Sequence, residues 1–184
     1  MPVYHSKIKN SDVSKIMGFP LLFVRKDSPP MLETDNFISS DDQKYDILDE
    51  AIAYYRINIL FKNFSIDSDA DKVLVYLTVF IQKILEIAGK YFDDEKRALK
   101  EIDNLEASGK GNVKEISSKN VLSLLLNDER NAINIEKLNT YLKGLRKEAI
   151  FRMKYILFEN SDFRMDKRFW TSMGKKKFLG YEFI

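Results

Sequence analysis

The sequence predicts an all-α fold: a compact helical domain with one largely buried central helix surrounded by others, and an extended N-terminal arm. Three observations predict it. Residues 73–88 are apolar nearly all the way round, which a helix tolerates only when other protein encloses it. From about Ile133 to Phe158, apolar residues recur every three or four positions, the spacing of one helix face. No alternating strand pattern bounded by hairpin turns appears in the chain.

The elements follow in order. Residues 1–45 contain Pro2, Gly18, Pro20, Pro29 and Pro30 and then the polar run Ser39 to Lys44, which predicts an irregular arm wrapped over a helical body at 46–158. Asp46 is placed to cap a helix with Ile47, Leu48, Ala51, Ile52, Tyr55 and Ile59 on one face, widened by Tyr54, Ile57 and Phe61. Ser65 to Asp69 interrupts that pattern, and Ser68 with Asp71 three positions on forms an acidic relative of the capping box. A second helix therefore starts there and runs to Ala88, with Gly89 placed to end it. Its β-branched residues lower helix propensity, but its length and cap outweigh a strand.

Asp93 is expected to cap a third, more polar helix with Ala98, Leu99, Ile102 and Leu105 inward, ending before Gly109. Gly109 to Lys119 is expected to be a loop, and Val121 to Leu126 is a short apolar piece of either state. In the long helix after it, Ile135, Leu138, Leu142, Leu145, Ala149, Met153 and Ile156 form the inward stripe, and Lys143, Arg146, Lys147, Arg152 and Lys154 fall off it. Asn160 and Asp162 break that helix, and Asp166 starts a short one through Phe169, Trp170 and Met173. Residues 159–184 are a basic, aromatic C-terminal segment.

Composition limits the chemistry. A chain of 184 residues suits one domain, burying roughly 70% of its unfolded surface. The absence of cysteine removes disulfides, thiolate zinc sites and cysteine nucleophiles together, and fits a cytoplasmic location. His5, the one histidine, cannot build a multi-histidine metal site, and no nucleophile motif accompanies it. Thirty basic against 28 acidic residues give a net charge of +2, short of the balance of a protein held mainly by phosphates. The apolar runs Phe19 to Val24 and Val73 to Ile81 are too short for a secretory core or a bilayer span, so no membrane partner is expected. Gly109-Lys110-Gly111 lacks the spacing of a phosphate loop, and Asp93, Asp94 and Glu95 lack the alternation of a calcium loop. No catalytic residue, metal site or cofactor is expected.

The C-terminal segment sets Arg164, Lys167, Arg168, Lys175, Lys176 and Lys177 among Phe163, Phe169, Trp170 and Phe178. Cations neutralise phosphates and aromatic faces stack on unpaired bases, but the same mixture anchors protein interfaces or forms a solvated tail. Composition leaves all three open.

The chain resembles the third, small helical subunit of the actin-related protein 2/3 complex, which nucleates branched actin filaments. The resemblance is carried by Met1-Pro2-Val3-Tyr4-His5-Ser6, by Gly18 with Leu21 and Leu22, and by Asp46-Ile47-Leu48-Asp49-Glu50-Ala51. It continues in Phe61-Lys62-Asn63-Phe64-Ser65-Ile66 and Ala70-Asp71-Lys72-Val73-Leu74-Val75-Tyr76. It returns in Tyr141-Leu142-Lys143-Gly144-Leu145-Arg146-Lys147-Glu148, Phe169-Trp170-Thr171 and Lys175-Lys176-Lys177-Phe178. Residues Glu101 to Glu136 depart from it, lacking the family's Pro/Gly-rich connection.

The resemblance implies a non-catalytic structural subunit that supports actin nucleation and branching. Its implied partners are actin-related proteins 2 and 3, the other subunits of the complex and the actin filament, without nucleic acid or membrane. ATP belongs to the actin-related subunits, so no cofactor is implied. Against acidic actin surfaces, Lys62, Arg146, Lys175, Lys176 and Lys177 are the candidate contacts, with Asn63 beside them and Phe61, Phe64 and Trp170 as anchors. A core role for the three aromatics stays open. The alternative function is a helical nucleic-acid-binding adaptor using the C-terminal segment.

Overall fold

In the computed structural model, residues 3–9, 13–31, 45–107, 113, 116–127, 131–159 and 167–183 are described. Two reciprocal caps start the two central helices. The Asp46 carboxylate accepts from the Leu48 and Asp49 N–H groups, and the Asp49 carboxylate accepts from the Asp46 N–H, opening α1 (Ile47–Asn58). Ser68 and Asp71 repeat the arrangement at α2 (Asp69–Lys90). Each box satisfies helix N–H groups that have no partner within the helix.

Gly89 does not end α2, contrary to expectation. The helix continues to Lys90 because Gly89 faces a neighbouring helix, where a Cβ would lie 3.4 Å from the Thr171 side chain. Likewise Asp94, not Asp93, caps α3 (Glu95–Ala107), its carboxylate accepting from the Arg97 N–H at 3.0 Å. The apolar piece of either state is helical: α4 (Val121–Leu125) starts on an Asn120 cap. The long helix α5 (Ala132–Lys154) starts on Asn131 and passes into a π-helical turn, Tyr155–Glu159. Helix α6 (Lys167–Met173) follows, then a 3₁₀ turn at Phe178–Gly180. The expected break at Asn160 and Asp162, the start at Asp166 and the turn Gly109-Lys110-Gly111 lie outside the described residues.

Helix α2 is packed by α1, α3, α4, α5 and α6. Val73, Leu74, Tyr76, Leu77, Phe80, Ile81, Ile84 and Leu85 are fully buried on it, so its all-round apolarity is accounted for by neighbours on every side.

The fold is mostly helical but carries one small sheet that the sequence reading missed. Strand β1 (Lys15–Ile16) pairs antiparallel with β2 (Phe19–Pro20), Lys15 opposite Pro20 and Ile16 opposite Phe19. Met17 and Gly18 turn the hairpin with φ of 54° and 75°, the positive values that a tight two-residue hairpin loop requires. Strands of two residues are too short to show alternation, and Pro20 reads as a breaker although an edge position tolerates it. Lys72 Nζ donates to the Gly18 carbonyl at 2.7 Å and the Asn127 N–H to that of Met17 at 2.9 Å. A Cβ on Gly18 would sit 2.6 Å from the end of the exposed Asn127 side chain, which would have to turn aside, so it is the positive φ that calls for glycine there.

Outside the hairpin, the described residues of the N-terminal region form no helix or strand, and several of their backbone donors are met by side chains of the helices. The Tyr4 N–H donates to Asn58 Oδ1 at 3.0 Å, while Asn58 Nδ2 donates to the Tyr4 carbonyl at 2.8 Å. Asp71 accepts from the Ser6 N–H, and Glu50 from the Lys7 N–H and the Ser6 hydroxyl. Further along, Asp46 accepts from the Arg25 N–H, Asp49 from that of Met31, and Glu148 from that of Asp27.

These carboxylates are gathered by Arg152, which the helical spacing placed off the buried stripe. It is fully buried. Its guanidinium donates to Asp46, Asp49 and Glu148 and to the Arg25 carbonyl, and this dense pairing is the condition for keeping the charge inside. Burial first, and then the Asp46 carboxylate beside it, raise the Asp49 pKa above the ordinary value.

A candidate partner-binding surface

The connection between α1 and α2 and the segment after α6 meet through two aromatic rings. Phe64 lies edge-on to Phe178 with centroids 5.8 Å apart, and the His5 ring lies 4.9 Å from the other partner in this stack, Phe64. Phe178 is buried and its N–H donates to Gln82 Oε1 at 2.9 Å. Four residues earlier, Gly174 lies against the α2 backbone, where a Cβ would be 2.7 Å from the Glu86 nitrogen. Pinned at Gly174 and at Phe178, the chain between them displays Lys175, Lys176 and Lys177 to solvent.

The chain then returns to the core. The Glu182 N–H donates to the Lys119 carbonyl, the Val121 N–H to that of Glu182, and Asn120 Nδ2 to that of Phe183. Phe183 packs on Phe80 and Tyr76, at centroid distances of 4.7 and 6.1 Å. Between this return and α2 opens a groove of about 410 Å³, lined by Val79, Lys83, Glu86, Lys175, Lys177 and Glu182 among others. Lys177 pairs with Glu182, which raises the lysine pKa and lowers that of the glutamate. Lys83 pairs with Glu86 at 3.1 Å. Lys175 and Lys176 have no ion-pair partner among the described residues, so their charge faces outward.

The candidate residues thus divide. Lys62 and Asn63 are exposed, and Phe61 and Phe64 half-buried, in a connection that the Phe64–Phe178 contact sets beside the three exposed lysines. Leu60, 55% exposed, adds an apolar element to this surface. Arg146 and Trp170 lie elsewhere, in the interior. Arg146 is 5% exposed and donates from Nη1 to the Tyr76 hydroxyl at 3.0 Å. Trp170 is 3% exposed and stacks on Tyr55 at 6.3 Å, so it holds α6 to α1 instead of anchoring a partner. Trp170 and Phe178 are buried and so offer no face on which bases could stack, whereas Phe169 is exposed.

The sequence reading missed the groove. Its signal was the pair Gln82 and Lys83, polar residues interrupting an apolar helix where the C-terminal segment comes to lie. Among the described residues no cluster of histidine, aspartate and glutamate is arranged to hold a metal ion, and no helix is long and apolar enough to cross a membrane.

A family model described as "P21-Arc: ARP2/3 complex ARPC3 (21 kDa) subunit" matches residues 1–183. The chain belongs to the P21-Arc family. Relatives named actin-related protein 2/3 complex subunit 3 agree. That of Entamoeba histolytica is 32% identical over 96% of this chain and 89% of its own length. Those of Arabidopsis thaliana and Schizosaccharomyces pombe are each 28% identical, over 96% and 97% of this chain and 97% and 98% of their own. The P21-Arc match spans the hairpin, every helix described above and the C-terminal segment, including the middle region that departs in composition.

Proposed function

We propose that this chain is a non-catalytic structural subunit of an actin-nucleating complex, contacting actin-related proteins 2 and 3 through the surface around Lys62 and Lys175 to Lys177. The observation that carries the reading is the family match along the whole chain. The geometry supports it by offering a rigid display of cations: the exposed lysines are pinned by Gly174 and Phe178 on one side and by Phe64 on the other. Exposed lysines of this kind steer acidic surfaces and set register.

The mechanism is differential binding. A subunit that touches both actin-related proteins only in their filament-like arrangement shifts the population toward that arrangement by the free energy of the added contacts. No bond is made or broken by this chain, and ATP is left to the actin-related subunits. The place of work is cytoplasmic, on the actin cytoskeleton.

Two measurements test this. Affinity purification followed by mass spectrometry should recover two actin-related proteins, and their absence would refute the assignment. The triple substitution Lys175→Glu, Lys176→Glu, Lys177→Glu should weaken assembly or branching by the purified complex while leaving the thermal transition of the chain in place. Unchanged branching would remove this segment from the contact surface.

A further inference from the structure

A glycine stands in the middle of α5 without an internal reason for being there. Gly144 has ordinary helical geometry, and apart from its chain neighbours and the backbone of its own helix no atom of the described residues lies within 4 Å of where its Cβ would sit. Glycine inside a helix is less stable than alanine, because it loses more backbone freedom on folding and covers less of the backbone. Gly174 lies against helix backbone that excludes a side chain, but Gly144 has open space. Its cost to the helix is not repaid among the described residues.

What surrounds Gly144 is arranged for contact. Tyr141 and Glu148, three positions before and four after, share its side of α5. Both hold the extended segment that runs alongside: the Tyr141 hydroxyl donates to the Leu22 carbonyl at 2.8 Å, and Glu148 accepts from the Asp27 N–H at 2.9 Å. Within that segment Leu22 is buried and Phe23 is turned out, 75% exposed. One heptad beyond Gly144 on the helix, Phe151 is 39% exposed. Lys143 and Lys147 are exposed beside it and have no ion-pair partner among the described residues. The missing side chain therefore leaves a notch in the side-chain cover of α5, on the helix face that carries Phe151 and next to Lys143 and Lys147.

We infer that this notch is a second docking point, seating an acidic segment of a neighbouring subunit whose bulky apolar side chain lies against Gly144 between carboxylates that pair with Lys143 and Lys147. The charge of the two lysines selects the acidic partner, and the open notch selects the bulky side chain. This rests on the reading of the chain as a complex subunit, and it adds a face distinct from the Lys175 to Lys177 segment.

The test uses the opposite effects that Gly144→Ala should have on folding and on assembly. In the isolated chain, the added methyl meets open space and should raise Tm by about 2–4 °C. In cells co-expressing equal amounts of wild-type and variant chain with the other subunits of the complex, incorporation of the variant should be roughly tenfold lower, the size of a modest hot-spot loss. Gly144→Leu should be excluded more strongly, and Lys143→Glu with Lys147→Glu should also be disfavoured. A variant that is more stable alone yet under-represented in the complex cannot owe its loss to misfolding. Equal incorporation of both glycine variants would overturn the inference while leaving the subunit reading standing. A wild-type chain that enters no such complex would overturn both.

Discussion

Arg152 on α5 and Asp46 ahead of α1 face each other as two forks: Nη1 donates to Oδ1 and Nη2 to Oδ2, both at 2.7 Å. The same Asp46 carboxylate caps α1, so one side chain starts a helix and ties it to another 106 residues away. Paired and dry, this contact fixes the angle at which α5 meets the core. The geometry is bidentate and needs a guanidinium, since a lysine ammonium is a point charge that cannot span both oxygens.

Removing that guanidinium should therefore be severe. Arg152→Ala leaves Asp46 and Asp49 buried with Arg25 as their remaining cation among the described residues and Glu148 buried with none, and should cost about 3–5 kcal/mol in urea denaturation. Arg152→Lys should recover little of it. A loss below about 1 kcal/mol, the range of an exposed pair, would mean that water reaches the cluster.

Asn58 tests how the N-terminal arm is held. Its amide both accepts from and donates to the Tyr4 backbone, which neither alanine nor aspartate can do. Asn58→Ala and Asn58→Asp should each destabilise by about 1–3 kcal/mol. Both should also speed protease cleavage within residues 3–9, while cleavage in the α5 region stays slow. Uniform sensitivity along the chain would show instead that the arm and core open together.

Glu50 predicts a pH dependence of definite sign. Burial raises its pKa above the ordinary 4.5, outweighing the hydrogen bonds from Ser6 and Lys7 that act the other way. A folded pKa above the unfolded one contributes stability that is full below 4.5 and lost as pH rises through the raised value. Wild type should thus lose stability relative to Glu50→Gln across that window, read from urea midpoints at a series of pH values. Asp69, lowered below its ordinary 3.8 by its hydrogen bond with Lys15, should slope oppositely: its contribution is present above 3.8 and lost as pH falls. Parallel profiles for wild type and Glu50→Gln would refute the assignment.

Gly174 predicts that the C-terminal display is sensitive to one methyl group. In Gly174→Ala the new carbon would meet the Glu86 nitrogen and the Leu85 carbonyl carbon at 2.7 Å, and backbone atoms of a helix cannot step aside. A loss of about 1–3 kcal/mol is expected. The substitution Gly89→Ala, whose contacts start at 3.4 Å, should be far milder. If the two alanines behave alike, the close approach of the C-terminal segment to α2 is not what holds it.

Local chemistry was legible in the sequence and long-range partnership was not. Asp46 and Ser68 announce their helices because a capping box closes within four residues, and the enclosure of α2 shows in its lack of a polar face. Arg152 was misplaced because two of its three carboxylates, Asp46 and Asp49, come from a stretch more than 100 residues away. The spacing of Glu148 four residues before it, between the apolar Ala149 and Met153, was the available hint. Arg146 found an acceptor in the Tyr76 hydroxyl, a polar atom on the largely apolar α2. For the candidate surface, composition identified the lysines and Phe61 to Phe64 as separate features. Their junction at Phe178 required the fold, since nothing in either stretch indicates that it will touch the other.

The backbone donors of Tyr4, Ser6 and Lys7 find their acceptors on Asn58, Asp71 and Glu50, which lie 43 to 65 positions downstream. A ribosome thus releases these residues long before it releases anything for them to bind. That stretch must wait, and its backbone finds these partners only once Glu50, Asn58 and Asp71 have followed it out of the ribosome.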